Sequence, residues 1–424
     1  MISELKIRNF KSLESVDLKL GHFNLLVGAN ASGKSNFLDV LRFLQGVGSG
    51  FSIGEILNGK PQLPTSARWD GIRGGSETIA FRDKDGWETE EVEVEAQIPS
   101  GPEAFPGGLN DLYRLKFALV NGVPEIRDEL LSNGGKVRFS SANHIASVAG
   151  FAAANPSWAV NFRDNTLLSL HSSVAANLAG NQLLQATVDL GFFREEGPFL
   201  PQLMLYISRL LADMQFLDLE PSVLRAYSLP SAIPRMGEKG VGFAGLIKYL
   251  ESQSSDLAAL TDWLRELRPD EVESLYTVKA PAGEYMVAIK EREIEFLAPV
   301  LSDGTLRFIA LAAAFFQPSM PKVLVIEEIE KGLHPSRLRL LVELMRSQSK
   351  RTGTQVFATT HSPTVLAWLN KEDRKTTFIC TRDEESGATK MRSLSDVLKL
   401  EDLIDKGTYL GDLFEQGWLE SAPQ

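Results

Sequence analysis

One segment, residues 28–35, constrains the fold of this chain more than any other. It reads Gly-Ala-Asn-Ala-Ser-Gly-Lys-Ser and fits the phosphate-binding pattern G-x-x-x-x-G-K-[ST] at every fixed position. The apolar run 23–27 precedes it and predicts a buried strand, and residues 37–44 place four apolar side chains on one helical face. Strand, glycine loop and helix form the context that the motif requires. A chance glycine-rich turn is therefore disfavoured, and we expect a nucleoside triphosphate to bind here.

Each residue of this loop has an expected task. Gly28 and Gly33 allow the backbone N–H groups to point at phosphate oxygens, and the following helix offers its positive end to the same anion. We expect Lys34 to reach the β- and γ-phosphates and the Ser35 hydroxyl to bind Mg²⁺. The nucleotide-binding residues predicted in this segment are Gly28, Asn30, Ala31, Ser32, Gly33, Lys34, Ser35 and Asn36.

Composition is typical of a globular protein that stays inside the cell. The chain has 424 residues, enough for two or three lobes, and its single cysteine, Cys380, excludes a disulfide framework or a cysteine-built metal site. The start lacks a signal-peptide pattern, and the longest apolar run, 308–316, is too short to span a bilayer. We expect a cytoplasmic protein without membrane contact. The net charge of −11 disfavours nucleic acid unless basic residues gather locally.

Two further segments pair a short apolar strand with polar residues at its carboxyl end. Residues 323–328 read Val-Leu-Val-Ile-Glu-Glu, and residues 355–363 end in Thr-Thr-His-Ser-Pro. In open α/β sheets, ligands bind at the carboxyl ends of the strands. We expect Glu327 to hold Mg²⁺, Glu328 to polarise the attacking water, and His361 to sense the γ-phosphate. Alone, the acids would indicate a solvated loop and the histidine a structural residue; the phosphate loop favours the catalytic interpretation.

A fourth segment, 301–307, precedes an apolar helix. Ser302 is expected to cap that helix, and Gly304 suits its first turn. The simpler interpretation is a well-capped core helix. Because the chain's own phosphate site is already supplied by residues 28–35, this second anion-binding helix start would serve the nucleotide of a partner.

The order and wording of the motifs resemble those of ABC-type ATPases of the RecF/SMC/OLD group. The similarity is greatest to the compact AAA-like branch that occurs in bacterial defence loci and lacks a TOPRIM nuclease domain. It extends from residue 2 to about residue 370, with only a loose match over about 105–290. The segments that carry it are Leu5–Leu13, Gly28–Ser35, Leu301–Arg307, Glu327–Pro335 and Thr360–Pro363.

The resemblance implies an α/β fold: an ABC-ATPase-like P-loop head with a mixed sheet, antiparallel β insertions and a small helical lobe. It implies that Asn9, Lys11 and Ser12 lie beside the nucleotide, and that Ser302 and Gly304 complete the site of a partner chain. Residues 330–335 would cross the dimer interface. ATP and Mg²⁺ are the implied cofactors, and a homodimer or higher oligomer is the implied assembly.

Three classes of function are compatible with these motifs to different degrees. We favour an ATP-hydrolysing switch that controls a separate effector, a nuclease or toxin, in bacterial antiphage defence. The alternative is a RecF-like repair ATPase that binds DNA, through basic residues such as Arg337, Arg339, Arg346, Lys350 and Arg351. A transporter ATPase subunit is disfavoured by the β-rich insertions and by the lack of a convincing glutamine in the loop that would contact the metal site.

The sequence departs from the family pattern at several positions. Glu327 stands where many relatives have Asp, and Ile329 replaces the usual proline. Arg73, within residues 69–75, occupies the place expected for the missing glutamine and is a candidate substitute. Residues 383–385 form a lone acidic run in a predicted hairpin turn, which we interpret as solvated rather than as a TOPRIM cluster.

We divide the chain into three parts. Residues 1–105 are the N-terminal part of the ATPase head, 106–290 an insertion with a helical lobe, and 291–424 the C-terminal part of the head. Local patterns predict a hairpin over 78–98, strands at 113–120 and 136–139, irregular helices over 140–200, a helix over 203–216 leading into a strand, one helix over 242–268, and a hairpin over 277–290.

Overall fold

The computed structural model describes most of the chain. The described residues are 1–60, 69–86, 89, 91–100, 109–134, 136–142, 145–148, 151–152, 199–230, 234–267 and 272–422. They divide into two compact units. Unit 1 comprises Met1–Gly21, Ala29–Met214 and Cys380–Arg392, and unit 2 comprises His22–Gly28, Gln215–Ile379 and Ser393–Gln424.

The strands and helices are numbered along the chain. The strands are β1 (Glu4–Phe10), β2 (Leu13–Lys19), β3 (Phe23–Val27), β4 (Glu91–Ser100), β5 (Leu109–Val120), β6 (Val123–Asn133), β7 (Lys136–Ala142), β8 (Ile145–Val148), β9 (Phe151–Ala152), β10 (Met214–Leu217), β11 (Val272–Lys279), β12 (Tyr285–Glu291), β13 (Ile294–Leu297), β14 (Val323–Ile326), β15 (Gln355–Thr360), β16 (Thr377–Arg382) and β17 (Thr389–Ser393). The helices are α1 (Lys34–Gly48), α2 (Ile53–Asn58), α3 (Phe199–Ala212), α4 (Pro221–Leu224), α5 (Phe243–Leu250), α6 (Ser254–Leu267), α7 (Asp303–Ala313), α8 (Pro335–Thr352), α9 (Pro363–Leu366), α10 (Lys371–Lys375), α11 (Leu400–Asp405), α12 (Leu410–Glu415) and α13 (Trp418–Ser421). Within the described residues, short 3₁₀ turns lie at Gly75–Thr78, Ala298–Val300, Ala314–Phe316 and Leu394–Asp396.

Unit 1 is built on an antiparallel sheet whose order is β2-β1-β4-β5-β6-β7-β8-β9. Strand β1 alternates buried and more exposed residues, as expected for a strand with one face on a core. The rings of Phe10 and Phe117 both pack on Phe43 of α1, with centroid distances of 6.0 and 5.4 Å. These contacts fix the helix after the phosphate loop against the sheet.

Unit 2 contains the strands that the sequence predicts to carry the site. In the sheet order β10-β14-β15-β3-β16, strands β14, β15, β3 and β16 run parallel to one another. All residues of β3, β14 and β15 are buried, which agrees with their mostly apolar sequences. The register pairs Ile326 with Ala358 and Val27 with Thr360, so these three strands end at one edge.

The rest of unit 2 packs around that sheet and a second, antiparallel one. The second sheet has the order β11-β12-β13, and one apolar core includes buried residues of α5, α6, α7 and α8. In α7 every residue from Gly304 to Ala313 is buried. The apolar run at 308–316 is therefore a core helix, which ends in a 3₁₀ turn.

Several local predictions are confirmed, and others are wrong. Strands at 23–27, 113–120, 136–139, 323–326 and 355–360 are present, as are the helix after the phosphate loop and the hairpin that joins β11 to β12. Residues 140–142, 145–148 and 151–152 are strand segments in β7, β8 and β9 rather than irregular helix, while 143–144, 149–150, 153–198 and the loop 101–108 lie outside the described residues. The helix predicted over 242–268 is two helices, α5 and α6. The hairpin over 78–98 is only partly correct, because β4 begins at Glu91 and pairs with β1 and β5.

Candidate functional site

The phosphate loop enters α1 through left-handed backbone conformations. Ala31 has φ 63° and Gly33 has φ 98°. A Cβ atom at Gly33 would lie 2.0 Å from Oγ1 of Thr389, so this position has no room for a side chain. No described side chain caps the start of α1, and its first turn carries no acid. The geometry therefore leaves the positive helix end to an anion.

The lysine of the loop is already enclosed by it. Lys34 is buried, and its Nζ donates to the carbonyl oxygen of Ala29 at 2.8 Å. A second contact joins Nζ to the hydroxyl of Ser32 at 3.5 Å. The ammonium group is thus held inside the curl of the loop, where the motif places it for phosphate binding.

The turn that joins β1 to β2 lies against the start of α1. Asn9 and Lys11 have φ values of 58° and 52°, which are unusual for side chains of this kind. The Ser12 hydroxyl is 2.7 Å from Oγ1 of Thr389 and accepts from Nδ2 of Asn36 at 2.6 Å. A cleft of about 350 Å³ opens here, and its lining includes Lys11, Ser12, Asn36, Arg82 and Arg382. All five of these residues belong to unit 1.

Asp39, one turn beyond Ser35 on α1, binds two cations. The Lys11 ammonium lies 2.6 Å from Asp39 Oδ2, and the two side chains are only 8% and 5% exposed. Arg73 approaches Asp39 Oδ1 at 3.1 Å and donates to the backbone oxygen of Ser35 at 2.6 Å. Burial lowers the pKa of Lys11, and the bond to Asp39 opposes that effect. Arg73 thus contacts the phosphate-loop helix directly. It is the residue that the sequence analysis names as a candidate substitute for the missing glutamine.

The acids predicted for catalysis lie at the carboxyl edge of the unit 2 sheet. Glu327 and Glu328 follow β14 and are half-buried, and His361 follows β15 and is exposed. Glu328 has φ 46°, and its N–H donates to the Thr359 hydroxyl at 2.9 Å. Gly28 follows β3, which pairs with β15. The first residue of the phosphate loop, the acid pair and the histidine therefore share one edge of the sheet.

In the described part of the chain, half of the non-glycine residues with a left-handed backbone conformation are predicted site residues. Eight non-glycine residues have positive φ in the described part of the chain, and four of them are predicted site residues: Asn9, Lys11, Ala31 and Glu328. Such conformations cost free energy of order 1–3 kcal/mol each, and they cluster where function requires a particular geometry.

Sequence reasoning missed the closest partner of His361. Glu330 Oε1 accepts from the backbone N–H of His361 at 2.7 Å and lies 2.8 Å from its Nδ1. The two residues are thirty-one positions apart, and nothing in the acidic motif itself indicates this pairing. Only the adjacency of β14 and β15 in the sheet would have suggested it.

The start of α7 is organised as the fourth motif predicts. The Ser302 hydroxyl accepts from the backbone N–H of Thr305 and caps the helix. Asp303 pairs with the Arg225 guanidinium. Gly304 is packed so closely that a Cβ atom there would lie 2.3 Å from the carbonyl oxygen of Gly332. Ser302 is exposed, whereas Gly304 is buried, so of these two residues it is Ser302 that faces solvent.

Ser35 and Glu327, the two residues predicted to bind Mg²⁺, each carry an oxygen donor. No group of three or more His, Cys, Asp or Glu side chains is arranged as a metal site in the described ranges. Mg²⁺ carried by a nucleotide needs only one or two protein ligands besides phosphate and water. The Ser35 hydroxyl and the Glu327 carboxylate are ligands of that kind.

Among the helices that the structure describes, none combines the length and apolarity needed to cross a bilayer.

Comparison with known proteins gives one family match that spans most of the chain. The family described as "AAA domain, putative AbiEii toxin, Type IV TA system" matches residues 23–367. An ATP/GTP phosphatase of Helicobacter pylori is 33% identical over 95 residues, 21% of this chain and 25% of that protein. The DNA replication and repair protein RecF of Glaesserella parasuis is 48% identical over 44 residues, 10% of this chain and 12% of that protein. The chain thus matches a quarter or less of each curated relative.

A solved structure shares the fold over almost the whole chain. The structure of an Smc head bound to the C-winged helix domain of ScpA superposes with a TM-score of 0.52, at 14% sequence identity. The match covers 95% of this chain and 99% of the Smc head.

Proposed function

Because the chain belongs to this AAA-domain family, we propose that it binds Mg²⁺ and ATP, hydrolyses the ATP, and uses the cycle as a switch. The family match and the Smc-head fold confirm the predicted class, an ABC-type ATPase of the RecF/SMC group. One observation carries the proposal: the ends of β14, β15 and β3 share an edge, and each ends in a residue set suited to a nucleotide.

Each residue of the proposed site has a role that follows from its chemistry. Backbone N–H groups of 28–35 and the Lys34 ammonium neutralise the β- and γ-phosphates. Ser35 and Glu327 would hold Mg²⁺, which when bound supplies positive charge to the phosphate oxygens. Glu328 orients and polarises the attacking water, and His361 contacts the γ-phosphate. The Asn9–Ser12 turn and its adjacent cleft receive the rest of the nucleotide.

The second half of each site would come from another copy of the chain. Ser302, at the start of a buried helix, is exposed and offers its hydroxyl and the helix end to an anion. A closed homodimer would place this helix start against the partner's γ-phosphate. ATP binding then closes the dimer and hydrolysis opens it, as in other nucleotide switches.

We assign the output of the switch to a separate effector protein. The family description names a toxin of a type IV system, and the Smc head in the similar structure binds another protein, ScpA. Both observations favour the control of a partner protein by this chain. A defence role against phage agrees with the toxin named in the family description. Proteins that co-purify with the Glu328→Gln variant in the presence of ATP would identify the effector.

Binding and hydrolysis are tested with matched variants. Titration calorimetry with a non-hydrolysable ATP analogue should give strong heat for the wild type and for Lys19→Ala, an exposed lysine on β2, but none for Lys34→Ala. Glu328→Gln should bind ATP and release phosphate at least a hundredfold more slowly, on the order found for removed catalytic groups, while Glu343→Gln on the exposed face of α8 behaves as wild type. Unchanged affinity in Lys34→Ala would refute the proposed site.

The DNA-binding alternative has weaker support. Its motivation is the short RecF match, and its candidate residues lie on α8. Arg346 is paired with Asp373 at 2.5 Å, and the Arg339 guanidinium stacks on Trp368 at 5.9 Å. These cations are engaged within unit 2, so a DNA track would have to displace them. Nucleotide-dependent, salt-sensitive binding of duplex DNA by the Glu328→Gln dimer would favour this alternative instead.

A further inference from the structure

The contact of Glu330 with His361 has an unusual geometry. A single carboxylate oxygen, Oε1, faces both the backbone N–H of His361 and ring atom Nδ1, at 2.7 and 2.8 Å. The Glu330 side chain is 10% exposed and that of His361 46% exposed. The carboxylate therefore lies inside, beneath a histidine that stays open to solvent.

Glu330 is held in place by its surrounding backbone. The N–H of Ile329 donates to Thr359 at 3.1 Å, which attaches the segment to β15. The N–H of Leu333 donates to the carbonyl of Glu330 at 2.9 Å, which closes the turn before α8. The carboxylate is thus presented by a braced turn and not by a flexible loop.

The burial of the Glu330 carboxylate lowers the stability of the fold, which suggests that this carboxylate has a function. Glu330 Oε2 is buried and has no hydrogen-bond partner within the described part of the chain. A buried polar atom without a partner destabilises the fold, and more strongly when the group is charged. A glutamate that served only to close the turn would be better placed with both oxygens satisfied.

We propose that Glu330 is a positioning residue for His361 in the ATPase reaction, a role that rests on the proposed function. By accepting from Nδ1–H, it fixes which ring nitrogen carries the proton and leaves Nε2 as the atom that meets the γ-phosphate. By accepting from the backbone N–H, it fixes the direction in which the ring leaves β15.

The kinetic consequence separates this role from a structural one. Glu330→Gln keeps the shape but removes the charge, and Glu330→Ala removes both. We expect kcat to fall by about tenfold to a hundredfold, the range for partners that orient a functional histidine. The KM for ATP should stay near its wild-type value, because the phosphate loop is untouched. Glu343→Gln serves as the matched control.

A double-mutant cycle shows whether Glu330 acts through His361. If it does, the variant that carries both Glu330→Gln and His361→Ala should be as slow as His361→Ala alone. Losses that multiply in the double variant would overturn the proposal, and so would a wild-type kcat in Glu330→Gln. Thermal unfolding of each variant verifies that the compared proteins are folded.

Nuclear magnetic resonance on the nucleotide-free chain tests the same role without any ATPase activity. The chain has five histidines, and the ¹⁵N-imidazole signal that disappears in His361→Ala identifies the residue. The proposal expects a single form with Nδ1 protonated in the wild type and a mixture of tautomers in Glu330→Ala. Identical spectra would refute it. A wild-type chain that gives the expected spectrum but hydrolyses no ATP would refute the proposed function alone.

Discussion

At the scale of single residues, a buried ion pair lies on the phosphate-loop helix. Asp39 lies on the same helix as Lys34 and Ser35, and it joins Lys11 from the β1–β2 turn to Arg73 from the segment before β4. Arg73 also reaches the backbone of Ser35 at 2.6 Å. Two separate segments of unit 1 are thereby tied to the start of the phosphate-loop helix.

Replacing Asp39 should therefore destabilise unit 1. Asp39→Asn leaves the buried Lys11 ammonium without its carboxylate, a change that typically costs about 3–5 kcal/mol in a buried pair. The expected result is a lower midpoint in urea or heat, together with weaker binding of an ATP analogue. Asp17→Asn, at a half-exposed pair with Arg8, is the control and should cost about 1 kcal/mol or less. Equal losses of stability in Asp39→Asn and Asp17→Asn would contradict the buried pairing of Asp39 with Lys11.

The loss of stability caused by Asp39→Asn should also depend on pH, and it should become smaller as the pH rises. Burial already lowers the pKa of Lys11 below its unfolded value, and removing Asp39 lowers it further. Between the folded and the unfolded pKa, the unfolded chain binds more protons, so stability rises with pH. The deficit of Asp39→Asn relative to wild type should accordingly shrink as the pH is raised towards about 10, where lysine titrates in unfolded chains.

Residue-level prediction from the sequence succeeded where a motif fixes spacing and failed where partners are distant. The phosphate loop follows from eight consecutive residues. Glu330 as the partner of His361, and Asp39 as the partner of Lys11, depend on pairing across the fold, which no local pattern contains. The assigned roles of the individual site residues stay predictions until variants are measured.

At the scale of elements, α7 is in close contact with the segment before α8. Gly304 of α7 touches the backbone of Gly332, which itself has φ 73°. Arg307, one turn further along α7, is buried, and its guanidinium donates to the carbonyl of Leu219. The helix start that would serve a partner's nucleotide is thus rigidly attached to the segment that carries Glu330.

Gly304→Ala should disturb this attachment. The added Cβ would meet the Gly332 carbonyl oxygen at 2.3 Å, and backbone must shift, at a cost of about 1–3 kcal/mol. We expect a lower unfolding midpoint together with a reduced rate of phosphate release. Gly237→Ala, where the nearest atom would lie at an ordinary 3.4 Å, is the matched control. Wild-type stability and rate in Gly304→Ala would show that α7 and this segment move independently.

Elements were predictable when local pattern and tertiary environment agree. Mostly apolar runs predict β3, β14 and β15, because parallel strands are buried on both faces. The segment 140–152 carries small polar residues with weak periodicity. The strands described within it form by pairing onto β6 through β7, which local propensity does not reveal. The helix over 242–268 breaks after Leu250, where the Glu251 carboxylate accepts from the backbone of Thr277 on β11.

At the scale of the whole molecule, each unit is assembled from three segments of the chain. This interleaving depends on long-range pairing, such as β3 with β15 and β16, and motif order along the chain does not reveal it. The division into parts ending at residues 105 and 290 therefore remains a prediction. So do the homodimer, the effector and the defence role, which depend on chains other than this one.

The central claim is that two chains share each ATP site, and complementation between inactive variants tests it most directly. Ser302→Asp retains a helix-capping side chain but aims a carboxylate at the partner's phosphate, where attraction is required. Ser302→Asn, of the same size without the charge, is its control. Lys34→Ala disables the chain's own phosphate loop.

Phosphate release is measured against the mixing ratio of Lys34→Ala and Ser302→Asp chains, after subunits have exchanged. We predict that each variant alone is inactive, that Ser302→Asn retains activity, and that the mixture recovers up to about half of the wild-type rate per heterodimer, less if the two sites are cooperative. That recovery is expected because a mixed dimer contains one intact site. A Ser302→Asp chain as active as Ser302→Asn, or an exchanged mixture without recovery, would contradict the shared site.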